Sequence, residues 1–119
     1  LKKYVEKYPD SLKLAYQFAE LQVSVNQLAK AKSTLSDILK NDDRFMLAFY
    51  LNGVIARREK QHEDAEKWFL AANKIEPQYE LAWVQRAGSF IDVGNIESAL
   101  NILSNGLAKN AGSTRLQFE

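Results

Sequence analysis

Apolar side chains recur along the chain at the three- and four-residue spacing of amphipathic helices, and short polar turns divide them into six runs. The runs predict paired helices over 12–25 and 28–40, 46–59 and 62–75, and 80–93 and 96–108. The turns within the pairs fall at Asn26-Gln27, Lys60-Gln61 and Gly94-Asn95. Asn and Gly suit the left-handed end of a helix. The pattern therefore predicts an all-α chain in which one helix pair is repeated.

Residues of matching size recur every 34 positions. Small residues align in the first helices at Ala19, Gly53 and Ala87, and in the second helices at Ala31, Ala65 and Ala99. Large residues align at Leu35, Phe69 and Leu103. The distance between packed helices depends on side-chain size at the contact. We therefore expect Gly53 and Ala65 where paired helices meet and Phe69 in the gap to the next pair. Substitution of Glu66 is expected to be nearly silent.

These residues and their spacing resemble the tetratricopeptide repeat (TPR), a helix–turn–helix unit of 34 residues. The second repeat carries the resemblance best, with Phe49, Gly53, Ala65, Phe69, Ala72 and Pro77. The third repeat has Trp83, Ala87, Gly94, Ala99 and Leu103. Asn52 and Arg86 depart from the family, in which leucine is usual. Gly106 replaces the usual alanine, which should loosen its helix by about 0.5–1 kcal/mol.

The resemblance implies a right-handed superhelical solenoid of antiparallel helix pairs, a single all-α domain. Its repeats would be a half-repeat at 1–11, full repeats at 12–45, 46–79 and 80–113, and the start of another at 114–119. Because both ends lie inside this pattern, we expect the chain to be part of a longer protein. The apolar ends predict weak self-association, through Leu1, Tyr4, Val5, Leu116 and Phe118.

The resemblance also implies a concave face that is lined by the first helices and binds proteins or peptides. Positions on this face are unexpectedly apolar, and exposed apolar patches mark interaction sites. The predicted partner-binding groove comprises Tyr16, Leu47, Tyr50, Val54, Arg57, Arg58, Leu81, Val84 and Ile91. The alternative is a structural spacer or self-assembly module, whose groove is filled within the parent protein or an oligomer.

Two features of the groove have competing interpretations. The pair Arg57-Arg58 is suited to hold a partner's carboxylate or phosphate, or simply places positive charge at a helix C-terminus. Some relatives in the family clamp the C-terminal carboxylate of heat-shock chaperones with Lys, Asn and Arg. Here the corresponding positions carry Tyr16, Glu20, Leu51, Val54, Leu81 and Gln85. A chaperone-tail adaptor is therefore not expected.

Composition narrows the remaining functions. Sixteen Lys and Arg against fifteen Asp and Glu give a net charge of +1, which provides no field to attract nucleic acid. No cysteine is present, and His62 is the only histidine, so neither a metal site nor a catalytic relay is predicted. No cofactor is expected, and we predict that the chain is not an enzyme. No apolar run is long enough to insert into a membrane, and cytoplasmic and periplasmic or lumenal locations are both compatible with the sequence.

Overall fold

The computed structural model describes residues 11–110, which form six α-helices and no strand. The helices are α1 (Leu12–Ser24), α2 (Leu28–Asn41), α3 (Met46–Arg58), α4 (His62–Ile75), α5 (Glu80–Asp92) and α6 (Ile96–Lys109). Their starts confirm the predicted helices. The end of α4 also agrees with the prediction, and the other five ends differ from it by one residue. Three predictions lie outside the described range. They are the half-repeat at 1–11, of which only Ser11 is described, the start of a repeat at 114–119, and the association through the apolar end residues.

The turn inside each helix pair has the same backbone shape. Asn26, Lys60 and Gly94 occupy the left-handed region, with φ angles of 64°, 62° and 81°. The next residue then donates its N–H to a carbonyl five positions earlier, as in the bond from Gln61 to Ala56 at 2.8 Å. These are Schellman ends, which satisfy the last carbonyls of a helix. Glycine and asparagine were expected in this role, whereas Lys60 adopts the same conformation with a full side chain.

Close packing inside the pairs explains the small residues. The Phe69 ring lies over Gly53, where an added Cβ would be 2.5 Å from the ring. The expectation that Phe69 fills the gap to the next pair is therefore wrong, because it packs inside its own pair. In the third pair the Trp83 ring lies over Gly106, 2.8 Å from the position of an added Cβ. Gly106 thus makes room for an indole ring and is not merely a weak helix residue.

The three pairs stack in chain order. Helix α2 packs against α3 and α4 packs against α5, so the second helices of the first two pairs each contact the following pair. The first helices α1, α3 and α5 also contact one another in sequence. They form one continuous layer, and the molecule is elongated, with extents of 47 × 31 × 20 Å. The all-α solenoid predicted from the repeat is confirmed.

Candidate protein-binding groove

The predicted groove residues lie on the layer formed by α1, α3 and α5, but their exposure differs from repeat to repeat. Tyr16 is buried, with 6% of its surface accessible. Leu47, Tyr50 and Val54 on α3 are half-buried and pack against core clusters. On α5, by contrast, Leu81, Val84 and Ile91 are about half exposed, at 50%, 51% and 50%. The broad apolar stripe expected across two repeats is therefore reduced to one exposed stripe on α5.

Aromatic residues at the starts of α3 and α5 cover the tyrosines of the preceding repeats. The ring of Phe45 lies 6.2 Å from that of Tyr16, and Tyr79 meets Tyr50 edge-on at 5.3 Å. Phe45 and Tyr79 are 34 residues apart, so the repeat register contained this signal, although the sequence analysis did not use it. In the third repeat, Val84 holds the position of Tyr16 and Tyr50. Ser113 holds the position that Phe45 and Tyr79 have before it, so these two positions supply no third aromatic pair.

The tyrosine hydroxyls remain protonated hydrogen-bond donors. Burial, followed by the nearby Glu20 carboxylate, raises the pKa of Tyr16 far above the ordinary range. Burial also raises the pKa of Tyr50. Because a neutral phenol both donates and accepts hydrogen bonds, the two hydroxyls give the layer polar groups of both kinds.

A pocket of about 420 Å³ opens between α1 and the start of α3. Tyr16, Phe45 and Leu47 supply apolar surface to its wall. Charged residues of both signs surround it: Lys13, Glu20, Asp42, Arg44 and Glu76. A pocket of this size, with an apolar wall and a polar margin, has the general character of a side-chain or ligand binding site.

Arg57 reaches from α3 to α5 across the layer. Its Nε lies 2.6 Å from Oδ2 of Asp92 and its Nη2 lies 3.1 Å from Oδ1, while Nη1 donates to Gln85 at 2.9 Å. Gly88 leaves the space that the guanidinium occupies, since an added Cβ there would be 2.6 Å from Nη1. The hydrogen bond from Arg57 lowers the pKa of Asp92. Arg57 is therefore bound to α5 and is not free to hold a partner's carboxylate.

Arg58 reaches in the opposite direction, to α1. Its Nη1 donates to the carbonyl oxygen of Val23 at 2.9 Å, near the C-terminus of α1. A cation is favourable at this end of a helix, where carbonyl groups lack partners within the helix. Both arginines lie in the last turn of α3, as the interpretation of positive charge at a helix C-terminus expected, and their side chains also join α3 to both neighbouring first helices.

The solved structures that are similar to this arrangement include those of MamA and YrrB. MamA aligns with a TM-score of 0.79 over 99% of this chain at 16% sequence identity. YrrB, described as a TPR protein with an unusual peptide-binding site, aligns with a TM-score of 0.74 over 96% at 20% identity. This chain has the TPR fold. It spans 64% of the MamA chain and 59% of the YrrB chain. No family model and no curated protein matches the sequence.

The departures from the TPR pattern are polar contacts inside the solenoid. Arg86, at a leucine position, binds the Glu66 carboxylate through Nε at 2.8 Å and Nη2 at 2.7 Å. Its Nη1 also donates to Asn73 at 3.2 Å. Asn52, the other departure, is buried and donates to the carbonyl of Ala48 at 3.0 Å. The expectation for Glu66 is corrected, because its carboxylate links α4 to Arg86 on α5.

The outer face of α6 is a second apolar surface of this TPR array. Leu100, Leu103 and Leu107 are 63%, 40% and 41% exposed. Leu35 and Phe69, which hold the position of Leu103 in the earlier repeats, are fully buried. Within residues 11–110, α6 therefore exposes Leu103 at a position whose counterparts in α2 and α4 are buried.

Two further findings concern the residues that the structure describes. No three His, Asp or Glu side chains within 11–110 are grouped so that they could hold a metal ion. Likewise, none of the six helices combines the length and apolar character needed to cross a bilayer.

Proposed function

We propose that this chain is a protein-interaction scaffold without catalytic activity, which binds a peptide or helical segment along the layer of α1, α3 and α5. The exposed stripe of Leu81, Val84 and Ile91 is the observation that carries this proposal. Their spacing places them on one face of α5 over a length of about 15 Å. Exposed apolar groups that are clustered in this way are typical of interaction surfaces.

The pocket beside Tyr16 and Leu47 extends the surface towards α1. A bound segment would place apolar side chains against the α5 stripe and one further group near this pocket. Tyr16, Tyr50 and Val54 support the surface from below, since they are buried or half-buried. The similarity to YrrB, a TPR protein with a peptide-binding site, supports the same class of partner.

The two arginines have a positioning role in this proposal. Arg57 and Arg58 set the relative placement of α1, α3 and α5, because their hydrogen bonds cross from helix to helix. Affinity would come from apolar contacts, which dominate interface hot spots, and not from these charges. Binding should therefore persist at moderate salt concentrations, which screen exposed charge pairs.

Selection from a random-peptide phage library tests the proposal. Peptides selected on the wild-type chain should carry apolar anchor residues, and they should bind the Leu81→Ala/Val84→Ala variant much more weakly. Leu100→Ala is the matched control, since it shortens an exposed leucine on α6 and should leave binding unchanged. Circular dichroism verifies that each variant keeps its helices. Equal affinity for the double variant and the wild type would refute the groove proposal.

The exposed face of α6 favours a second candidate, which is self-assembly or contact with another part of the parent protein. Leu100, Leu103 and Leu107 would supply that contact. Sedimentation velocity over a range of concentrations should then show association that Leu100→Glu weakens and Leu81→Ala does not affect. A strict monomer at high concentration would contradict self-assembly and leave the groove proposal untouched.

A further inference from the structure

A separate cleft of about 490 Å³ lies between the start of α4 and the end of α5. It shares no residue with the exposed α5 stripe or with the pocket beside Tyr16. His62 on α4 and Ser89, Phe90 and Val93 on or just after α5 contribute to its wall. Glu63 and Lys67 lie at its margin. The cleft is therefore independent of the proposed groove.

The preceding junction, between α2 and α3, shows what normally fills this place. Leu28 and Ile55 hold the positions of His62 and Ser89, and both belong to the apolar core there. An ion pair from Lys32 to Glu59, 2.9 Å long, crosses the surface above them. In the later junction, Glu66 and Val93 hold these two positions and cannot form the same bridge. Glu66 instead binds Arg86, so the ion pair between α4 and α5 does not involve the position that Glu59 holds in the earlier junction.

His62, one of the residues that line the cleft, has an unused hydrogen-bonding group. Nδ1 of His62 is buried and has no hydrogen-bond partner. Buried polar atoms are nearly always paired, so an unpaired one calls for an explanation, and a missing ligand is one explanation. Beside it, Phe90 is half-buried and Val93 is 54% exposed, which gives the same cleft an apolar wall.

The charges around the cleft favour an uncharged occupant. The Glu66 carboxylate is neutralised by Arg86, 2.7 Å away. Glu63 and Lys67 are four residues apart on α4 and carry opposite charges, so their fields largely cancel across the cleft. Burying an arginine or a carboxylate in such a place is unfavourable, because no net charge compensates it.

We propose that this cleft is a second binding site, which accepts a tryptophan or tyrosine side chain from a protein partner. The aromatic ring would pack against Phe90 and Val93. Its N–H or O–H would donate to Nδ1 of His62 after a rotation of the imidazole ring that exposes this buried atom to the cleft. Tryptophan and tyrosine combine a large apolar body with one polar group that needs a partner when buried. The volume of the cleft lies within the range of small-ligand pockets.

The test uses the full chain and capped tripeptides as probes, Ac-Gly-Xaa-Gly-NH2 with Xaa as tryptophan, tyrosine or leucine. Because His62 is the only histidine, its imidazole ring protons give a single reporter in the NMR spectrum. Tryptophan and tyrosine peptides should shift this signal in a saturable way, and the leucine peptide should bind several-fold more weakly. An unchanged signal, or equal binding of the leucine peptide, would overturn the proposal.

A variant that rebuilds the earlier junction provides the matched control. His62→Leu/Ser89→Ile restores the apolar pair of the α2–α3 junction and should keep the fold while filling the cleft. Binding to this variant is followed by 19F NMR with a 5-fluorotryptophan peptide, and it should be lost. Leu81→Ala/Val84→Ala should bind that peptide like the wild type. If the rebuilt variant bound the peptide and Leu81→Ala/Val84→Ala did not, the peptide would lie in the groove and the second site would be refuted.

Discussion

The two junctions between successive repeats hold equivalent helices together by different chemistry. At the α2–α3 junction, Ile55 is 1% exposed within an apolar cluster, and the Lys32–Glu59 ion pair lies outside it at the surface. At the α4–α5 junction, the Arg86–Glu66 ion pair lies inside, with only 13% and 27% of the two side chains exposed. The 34-residue spacing thus fixes where helices meet, whereas the contact itself can be apolar or ionic.

This difference has an energetic consequence. An apolar contact loses stability in proportion to the atoms removed and the cavity that remains. A half-buried ion pair behaves differently, because removal of one partner leaves the other charge desolvated and unpaired. The stability of the α4–α5 junction therefore depends more on the chemical identity of each residue. The stability of the α2–α3 junction depends more on the volume of its buried side chains.

The largest expected effect is at the apolar junction. Ile55→Ala should lower the free energy of unfolding by about 2–5 kcal/mol, because it opens a cavity at a fully packed position. Ser89→Ala, at the equivalent position of the other junction, should change it by less than about 1 kcal/mol. Urea denaturation of both variants measures the difference. Equal losses would show that the two junctions are packed alike.

Removal of the inner carboxylate should have the next largest effect. Glu66→Leu should destabilise the chain by about 1–3 kcal/mol, since Arg86 would remain half-buried without its anion. Lys32→Leu, at the equivalent position on α2, should stay within about 1 kcal/mol, as is typical of exposed pairs. If thermal unfolding gave the same midpoint for both variants, the Arg86–Glu66 pair would not be an internal contact.

The contact that Arg57 makes between α3 and α5 can be isolated with a double-mutant cycle. In an Arg57→Ala background, Gly88→Ala should stabilise the chain by about 0.5–1 kcal/mol, the usual advantage of alanine in a helix. With Arg57 present, this gain should disappear because the new methyl group displaces the guanidinium from its place above Gly88. Additive effects in the cycle would mean that Arg57 does not occupy that position.

The smallest expected effect concerns pH. The hydrogen bond from Arg57 lowers the pKa of Asp92 in the folded chain below the ordinary value of 3.8. A lowered folded-state pKa contributes stability that is complete above the unfolded-state pKa and is lost as the pH falls through the folded-state value. Arg57→Ala should therefore weaken the dependence of the unfolding midpoint on pH below about 4. An unchanged acid profile in the variant would argue against the Arg57–Asp92 contact.

The sequence was sufficient for the backbone because helix periods, turn residues and the 34-residue repeat are local or strictly periodic signals. Gly53 and Ala65 were correctly placed at contacts between paired helices on the same grounds. The hydrogen-bond partners of long charged side chains could not be predicted in this way. Arg57, Arg58 and Arg86 each extend to a different helix, and their partners become neighbours only after the pairs stack.

The candidate groove shows the same limit. Register placed Tyr16, Tyr50 and Val84 on one face of the first helices, but it did not say which of them a neighbour covers. Coverage depends on Phe45 and Tyr79, which precede the next first helix and lie in a connecting segment. Exposure of a repeated position is thus a property of two successive repeats, and a single repeat read alone does not reveal it.

The opposite reach of Arg57 and Arg58 has a consequence for how the array opens. In a linear array, each repeat is stabilised by its nearest neighbours, so unfolding can start at an end and advance inwards. Helix α3 is bonded forwards to Asp92 and backwards to Val23, so opening from either end must break one of these bonds to reach it. The middle repeat should therefore be the last unit to open, and its amide hydrogens should exchange most slowly with solvent deuterium.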